Sequence, residues 1–212
     1  MISPAKKRLA FERLETEQRI LAIARRLFLE QGYLGCTIRD IALEAQLTPG
    51  AIYVYFKGKD ELFGRVCEQC LHLYLGLVQE ETSNAPTALG KLKALLQAHV
   101  KFYRDYPNEW RVMDHGLEGL ILSPELRQRL QELIMRGFLW AVDMIEGGIN
   151  EGCFIEGIDS HSMAYCLWAA IDGIFYHDRR RYLREPGLEF EQLIEMQTEN
   201  ILSRMLRSNS DE

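Results

Sequence analysis

Tyr53, Tyr55, Lys57 and Lys59 stand at alternate positions of one short stretch, behind Thr48-Pro49-Gly50-Ala51. Phenolic hydroxyls donate hydrogen bonds and ammonium groups carry positive charge, so both suit phosphate oxygens and would fix the register of a bound backbone. Pro49, Gly50 and Ala51 are small enough to let a helix entrance approach a groove floor, where its free N–H groups favour phosphate. Upstream, the guanidinium fork of Arg39 can meet a guanine edge through two parallel bonds. The chemistry these side chains share is contact with a polyanion.

What holds them depends on whether "TPGAIYVYFKGKDEL", residues 48 to 62, is a strand or a helix. Ala51 to Phe56 is β-branched and aromatic, a strand-like composition. Thr48 and Pro49 instead form a helix start, with Thr as N-cap and Pro at the first helical position. A strand needs a partner strand, and none is within reach. In a helix from Pro49, Ile52 and Phe56 share a face, and their burial against Ile41, Ala42 and Leu47 can override a propensity penalty of a few tenths of a kcal/mol per residue. Ahead of it, Thr37-Ile38-Arg39-Asp40 resembles a capping box, and Ile38, Ile41, Ala42 and Ala45 follow at helical spacing. A capped helix, a turn at Gln46-Leu47 and a second capped short helix make a helix-turn-helix.

Helical periodicity governs the remaining chain. Glu15 to Gln31 places Ile20, Ala24, Leu27 and Phe28 on one stripe that Gly32 ends. Further helices are expected at 59–82, 87–106, 108–122, from Pro124 to the glycines at 147, 148 and 152, at 159–182 and at 188–206, with linkers at Ser83-Asn84-Ala85-Pro86 and Pro186-Gly187. The expected fold is all-α with about nine helices and no sheet.

The chain has 212 residues, 47% hydrophobic and 26% charged, enough to bury a core with little room for extensive disorder. Its net charge of −6 is uneven: residues 1–65 hold 11 Lys and Arg against 8 Asp and Glu, and the rest hold 14 against 23. An acidic body with a mildly basic head suits a protein that touches a polyanion with one end. No long uninterrupted apolar run marks a membrane span, and the charged N-terminus lacks a signal-peptide core, so a cytoplasmic location is expected. Cys36, Cys67, Cys70, Cys153 and Cys166 are too sparse for a disulfide scaffold and read as reduced thiols. Cys67-Glu-Gln-Cys70 lacks the second pair of a zinc ribbon and reads as two small apolar residues on a helix face.

The run "TIRDIALEAQLTPGAIYVYFKGKDEL", with "LFLEQGYLGCT" before it, resembles the DNA-binding domain of the tetracycline-repressor (TetR) family. The matching motif covers about residues 19 to 63 and combines Gly32, Thr37, Ile41-Ala42, Ala45, Ile52-Tyr53, Phe56, Lys59 and Leu62. The resemblance implies an all-helical homodimer, with a three-helix DNA-binding head at 1–58 (including a short N-terminal arm) and an effector-binding, dimerising body at 59–212. Thr37 would then meet phosphate and Arg39 a base edge. Thr48, Pro49, Gly50 and Ala51 would face bases, while Tyr53, Tyr55, Lys57 and Lys59 would grip phosphates. Gln46 departs from the pattern, standing where the family usually has Gly; a non-Gly residue in a left-handed turn costs on the order of 1 kcal/mol.

In the body, the apolar run Leu167 to Phe175 and a last amphipathic helix look like the family's two dimerisation helices. They assign Leu167, Ala170, Ile171, Ile174, Phe190, Leu193, Ile194 and Ile201 to an interface between copies. Aromatic and Met side chains on the middle helices suit a cavity for a mostly apolar effector: Tyr74, Phe102, Tyr103, Trp110, Met113, Phe138, Met144, Trp168 and Tyr176, with Asp172 for a polar end. His99, His115, His177, Asp114 and Asp178 are further candidates for that polar end, without metal-ligand spacing, and Arg179-Arg180-Arg181 complements a helix C-terminus. No nucleophile elbow, P-loop, dinucleotide fingerprint or zinc motif is present, so no enzyme activity and no cofactor are expected. The function implied is a DNA-binding transcriptional regulator, most simply a repressor on a near-palindromic operator. The alternatives are an activator, or a redox- or metal-responsive sensor of the same fold.

Overall fold

The computed structural model describes residues 4–118, 122–180 and 189–207. Among them nine helices follow in order: α1 (Pro4–Gly35), α2 (Ile38–Glu44), α3 (Pro49–Ile52), α4 (Lys59–Ser83), α5 (Ala88–Asp105), α6 (Pro107–Glu118), α7 (Pro124–Asn150), α8 (Ser160–Arg179) and α9 (Phe190–Met205). Strand-like pairing among the described residues is limited to one isolated antiparallel bridge, between Phe154 and Leu206. The Pro186-Gly187 linker, Arg181, and the expected helix boundaries at 182 and 188 lie outside the described residues, while Leu122, expected to close a helix, is described outside α6.

The chain forms two compact units. Unit 1 takes in the described residues up to Tyr74 and those of Tyr106–Ile134; unit 2 takes in Leu75–Asp105 and the described residues from Met135 onward. Helices α4 and α7 therefore each supply residues to both units.

The core of unit 1 is built from the stripes expected for α1 to α4. Ile20, Ala24 and Phe28 of α1 are buried, as are Ile41, Ala42, Ile52, Phe56, Leu62, Phe63 and Val66 of the segments that follow. Phe28 and Phe63 pack edge to face with ring centroids 5.2 Å apart, a geometry that adds roughly 0.5–1.5 kcal/mol beyond area burial. Arg26 bridges Glu30 of its own helix and Glu44 of α2, joining the two helices at the surface. From α6, Arg111 donates to the Leu29 carbonyl (2.5 Å) and Glu109 meets Arg25 (3.5 Å).

Two elements of the head differ from expectation. Helix α1 starts at Pro4, about three turns before Glu15. Residues 5–15 contain no Gly or Pro and are mostly good helix formers, so nothing stops the helix before Pro4 occupies its first turn. Its regular hydrogen bonding breaks at Gly32 (φ 73°, ψ 174°), a conformation that a side chain would resist. Helix α3 is also shorter than the expected element. Regular helix covers Pro49–Ile52 only, and Tyr55 and Phe56 N–H groups both turn back to the Ile52 carbonyl (3.0 Å each). The low helix propensity of Tyr53-Val54-Tyr55 accounts for the early end, while Phe56 still buries beside Ile52.

In unit 2, α8 and α9 pack on each other and on α5. Tyr103 stacks on Phe175 with centroids 4.0 Å apart and planes 7° from parallel, and Phe190 adds a second stacked ring at 5.6 Å from Tyr103. Phe154, fully buried, lies so close to α7 that a Cβ on Gly148 would stand 2.2 Å from its ring. Backbone bonds from Ile155 to Met205 (2.8 Å) and from Arg207 to Cys153 (3.1 Å) fasten this loop to the end of α9. Asp159 caps α8 by accepting the Ser162 N–H at 2.7 Å.

Candidate nucleic-acid interface and ligand-binding residues

Local hydrogen bonds set the frame of the helix-turn-helix. Thr37 Oγ1 accepts the Asp40 N–H (3.2 Å), while the Asp40 carboxylate accepts the Thr37 N–H (2.8 Å) and hydroxyl (2.6 Å). These bonds, the hydroxyl's first, hold the Asp40 carboxyl below its usual range. At the far end of α2, the Leu47 N–H bonds the Ala42 carbonyl (2.8 Å) and the Gln46 N–H bonds the Leu43 carbonyl (3.1 Å). That pair of bonds is a Schellman motif, and it requires a left-handed residue at Gln46, whose φ is 57°. Thr48 then caps α3 by accepting the Ala51 N–H at 3.2 Å.

Within this frame the ten residues expected to meet nucleic acid all belong to unit 1. Thr37, Arg39, Thr48, Pro49, Gly50, Tyr53 and Lys57 are exposed, and Ala51, Tyr55 and Lys59 are half-buried. Ile52 and Phe56 point the opposite way, into the core. Side chains of one short segment are thus sorted between packing and solvent.

Lys59 is less free than its sequence position implied. Its Nζ sits 4.0 Å from the centroid of the Tyr33 ring, and the Tyr33 hydroxyl donates to Asp60 at 2.6 Å. Burial, with the Asp60 carboxylate adding to it, pushes the Tyr33 hydroxyl up to about 12. Tyr33 and Asp60 were missed in the sequence; the signal was an aromatic residue directly after the helix-ending Gly32. Arg13 was missed as well, its guanidinium lying 5.9 Å from the Tyr55 ring centroid.

The residues expected to line an effector cavity are divided between the units. Tyr74, Trp110 and Met113 are buried in unit 1. In unit 2, Phe102 is fully buried and Tyr103, Phe138, Met144, Trp168 and Asp172 are half-buried. Phe138 stacks on Trp168 (6.1 Å), and buried His99 bonds the Asp172 carboxylate (Nε2 to Oδ1, 3.0 Å) between Phe175 and Trp168. The Tyr103 hydroxyl donates to Asp178 (2.6 Å) and is pushed up by burial and by that carboxylate. Tyr176 is exposed instead, with the Arg180 guanidinium 3.6 Å over its ring, because it lies one helical step round α8 from the inward-facing residues. An open groove of about 870 Å³ in unit 2 runs between Leu96, Val100 and Arg104 of α5 and Ile194, Glu195 and Leu202 of α9. None of the ten expected effector residues lines it.

The expected dimer residues also separate. Leu167 and Ile171 are buried within the chain, so their side chains are not available to a second copy; Ala170, Ile174, Phe190, Leu193, Ile194 and Ile201 are half-buried. The uncovered stripe of α8 is Ser162, Tyr165, Cys166, Ala169 and Tyr176, the second stripe round the helix rather than the most apolar one.

Cys36, Cys67 and Cys70 are buried, and burial pushes their thiols up, to about 11 for Cys36 and about 12 for Cys70. Cys67 Sγ donates to the Val112 carbonyl at 3.5 Å. Among the described residues no three His, Cys, Asp or Glu side chains converge as metal ligands, and no helix is long and apolar enough to cross a membrane.

Residues 20–66 match the family model described as bacterial regulatory proteins, tetR family. The fatty acid metabolism regulator protein of Bacillus subtilis (strain 168) is 27% identical over 154 residues, covering 72% of this chain and 78% of that protein. The crystal structure of the transcriptional regulator FadR from Bacillus subtilis in complex with stearoyl-CoA superimposes with a TM-score of 0.72 at 21% identity, covering 89% of this chain and 98% of that one. A putative transcriptional regulator from Saccharomonospora viridis, crystallised with choline, gives a TM-score of 0.74 at 21% identity over 92% and 99% of the two chains. At these identities the structural likeness speaks for the fold.

Proposed function

We propose that this chain, a DNA-binding transcriptional regulator that belongs to the tetR family, is a repressor that binds a near-palindromic operator as a homodimer and is released by a small, mostly apolar effector. The observation that carries the DNA reading is the sorting of residues 48–59. Ile52 and Phe56 anchor the segment while Thr48, Pro49, Gly50 and Tyr53 stand exposed around them. In this reading Thr48 to Ala51 face bases, Arg39 meets a guanine edge, and Thr37, Tyr53, Tyr55, Lys57 and Lys59 hold phosphates. The division of labour places DNA binding in residues 1–58 and effector binding with dimerisation in 59–212.

Dimerisation uses the uncovered stripe of α8 with the outer face of α9, where Met196 is exposed. A two-fold dimer sets two recognition helices about 34 Å apart, or a multiple of that, and so requires two inverted half-sites. The effector reading rests on the rings of Phe138, Trp168, Tyr103 and Phe175 in unit 2, with Asp172 and Asp178 for a polar end. The acyl chain of the stearoyl-CoA held by the Bacillus subtilis structure belongs to the same apolar class. Effector binding shifts the population toward a state unfit for DNA, and moving it from 1:99 to 99:1 needs about 5.5 kcal/mol of differential affinity. The chain works in the cytoplasm, where its DNA lies, and no catalytic step is assigned to it.

Selection of bound duplexes from a random pool tests the central reading, with an enriched inverted repeat as the expected result. Tyr53→Phe and Lys59→Ala should weaken binding to all sequences, and Arg39→Ala should relax preference at one base pair. Unchanged affinity in all three variants would remove the assignment.

A further inference from the structure

The first turns of α1 belong to the head but hold none of the ten residues assigned to DNA contact. Residues 4–11 carry Lys6, Lys7 and Arg8 and no acidic side chain. All three cations are exposed. Lys6, Arg13 and Ile20 follow at seven-residue intervals, a spacing that drifts only about 20° round the helix per step. Ile20 is fully buried in the head core, so this is the side of α1 that faces the head. Toward the N-terminus that side changes from Ile20 to Arg13, whose guanidinium lies over Tyr55, and then to Lys6.

The exposed apolar residues of this segment do not form a competing surface. Leu9, Phe11 and Leu14 are all exposed, but Leu9 and Phe11 lie about 160° apart on the helix. Phe11 and Leu14, about 60° apart, do share a side, but two side chains make an apolar spot too small to dock lipid or a hydrophobic protein groove. The Arg8 to Glu12 pair (3.3 Å) is solvent-exposed on both sides, and such pairs hold their partners weakly. Positive charge next to a residue read as a phosphate contact is complementary to one partner in particular, the continuation of the same DNA backbone.

We propose that the N-terminal turns of α1 are a second DNA-contacting element. Lys6, on the side that faces the head, neutralises a phosphate flanking the stretch held by Tyr53, Tyr55, Lys57 and Lys59. Lys7 and Arg8, further round the helix, reach neighbouring phosphates on their long flexible stems, and Arg13 positions the helix by lying on Tyr55. The inference rests on the reading that the head binds DNA. Lys6 stands about 10 Å along the helix axis from Arg13, roughly three steps of a DNA strand at 3.4 Å each. The element therefore extends the footprint outward by a few base pairs, without adding sequence choice of its own.

The test uses the full chain and the inverted repeat recovered by selection, presented as a minimal duplex and as one with several base pairs of arbitrary flanking sequence. Affinity is measured by fluorescence anisotropy across about 50 to 200 mM salt. The triple variant Lys6→Ala, Lys7→Ala, Arg8→Ala should bind the flanked duplex at least about tenfold more weakly at the low-salt end. Its slope of log affinity against log salt should become shallower by about 0.9 for each phosphate that the variant leaves unneutralised. On the minimal duplex it should match the unaltered chain. Arg13→Gln should lose part of the flank-dependent affinity and keep the rest. The altered side chains are exposed, and an unchanged helical circular dichroism spectrum checks the fold. If the triple variant keeps the original slope and affinity on the flanked duplex while Lys59→Ala weakens both duplexes, the inference falls and the head reading stands. Equal loss on both duplexes would also overturn it, since the cations would then meet phosphates inside the repeat. Failure of the unaltered chain to enrich any duplex would remove both.

Discussion

Gln46 holds a left-handed conformation, φ 57°, at the Schellman end of α2. A residue with a Cβ gives up on the order of 1–2 kcal/mol there. Glycine escapes that strain but loses about 0.5–1 kcal/mol of chain entropy on folding. The exposed Gln46 side chain makes no core packing that glycine would forfeit. Replacing Gln46 by Gly should thus stabilise the fold by about 0.5–1 kcal/mol, the difference of the two effects. For a chain of this length that is a rise of roughly 1–4 °C in Tm. Gln46→Val places a β-branched side chain at the same dihedral and should lower Tm by several degrees instead. Both shifts can be read by differential scanning calorimetry at fixed protein concentration and salt. Operator affinity should stay within about twofold in Gln46→Gly, because the turn retains the geometry that both backbone bonds require. A fall in Tm for the glycine variant, or no fall for the valine variant, would refute the strain argument.

Three further outcomes follow from packing and burial. Gly148→Ala puts a methyl group 2.2 Å from the Phe154 ring, so it should destabilise the chain by about 1–3 kcal/mol, seen as a lowered urea midpoint. Burial raises Tyr33 to about 12, Cys36 to about 11 and Cys70 to about 12. The unfolded chain releases these protons at lower pH, so stability present below about pH 9 should fall as pH rises toward 12; Cys70→Ala, measured by denaturant titration, should flatten that fall. In native protein an aromatic disulfide reagent should modify exposed Cys166 first and half-buried Cys153 more slowly, leaving Cys36, Cys67 and Cys70 unreacted until denaturant is added. Rapid reaction of Cys67 or Cys70 would revive a thiol-sensing role.

Features encoded over a few neighbouring residues were legible in the sequence. Thr37 with Asp40, and Thr48 with Pro49, specify their caps within three residues, and the structure carries both. The α1 extension is not legible because residues 6–15 are solvent-facing and so lack the apolar stripe by which an amphipathic helix is recognised. Tyr33 and Asp60 escaped for another reason: they meet across 27 residues, through tertiary packing alone. In α8, hydropathy marks Leu167 and Ile171 as the most apolar stripe. It cannot say whether such a stripe faces the chain's own core or another copy, and here the core has it.

The brevity of α3 bears on how such a head can change over time. Four residues close barely one turn, far below the length at which a helix persists unaided. The segment owes its shape to the Thr48 cap and to Ile52 and Phe56, which are buried in the head core. Gly50, Tyr53 and Val54 lie between these anchors and are exposed. Mutational drift at those three positions can therefore explore new recognition surfaces at little risk to folding, whereas drift at the anchors is filtered by stability before recognition is ever tested.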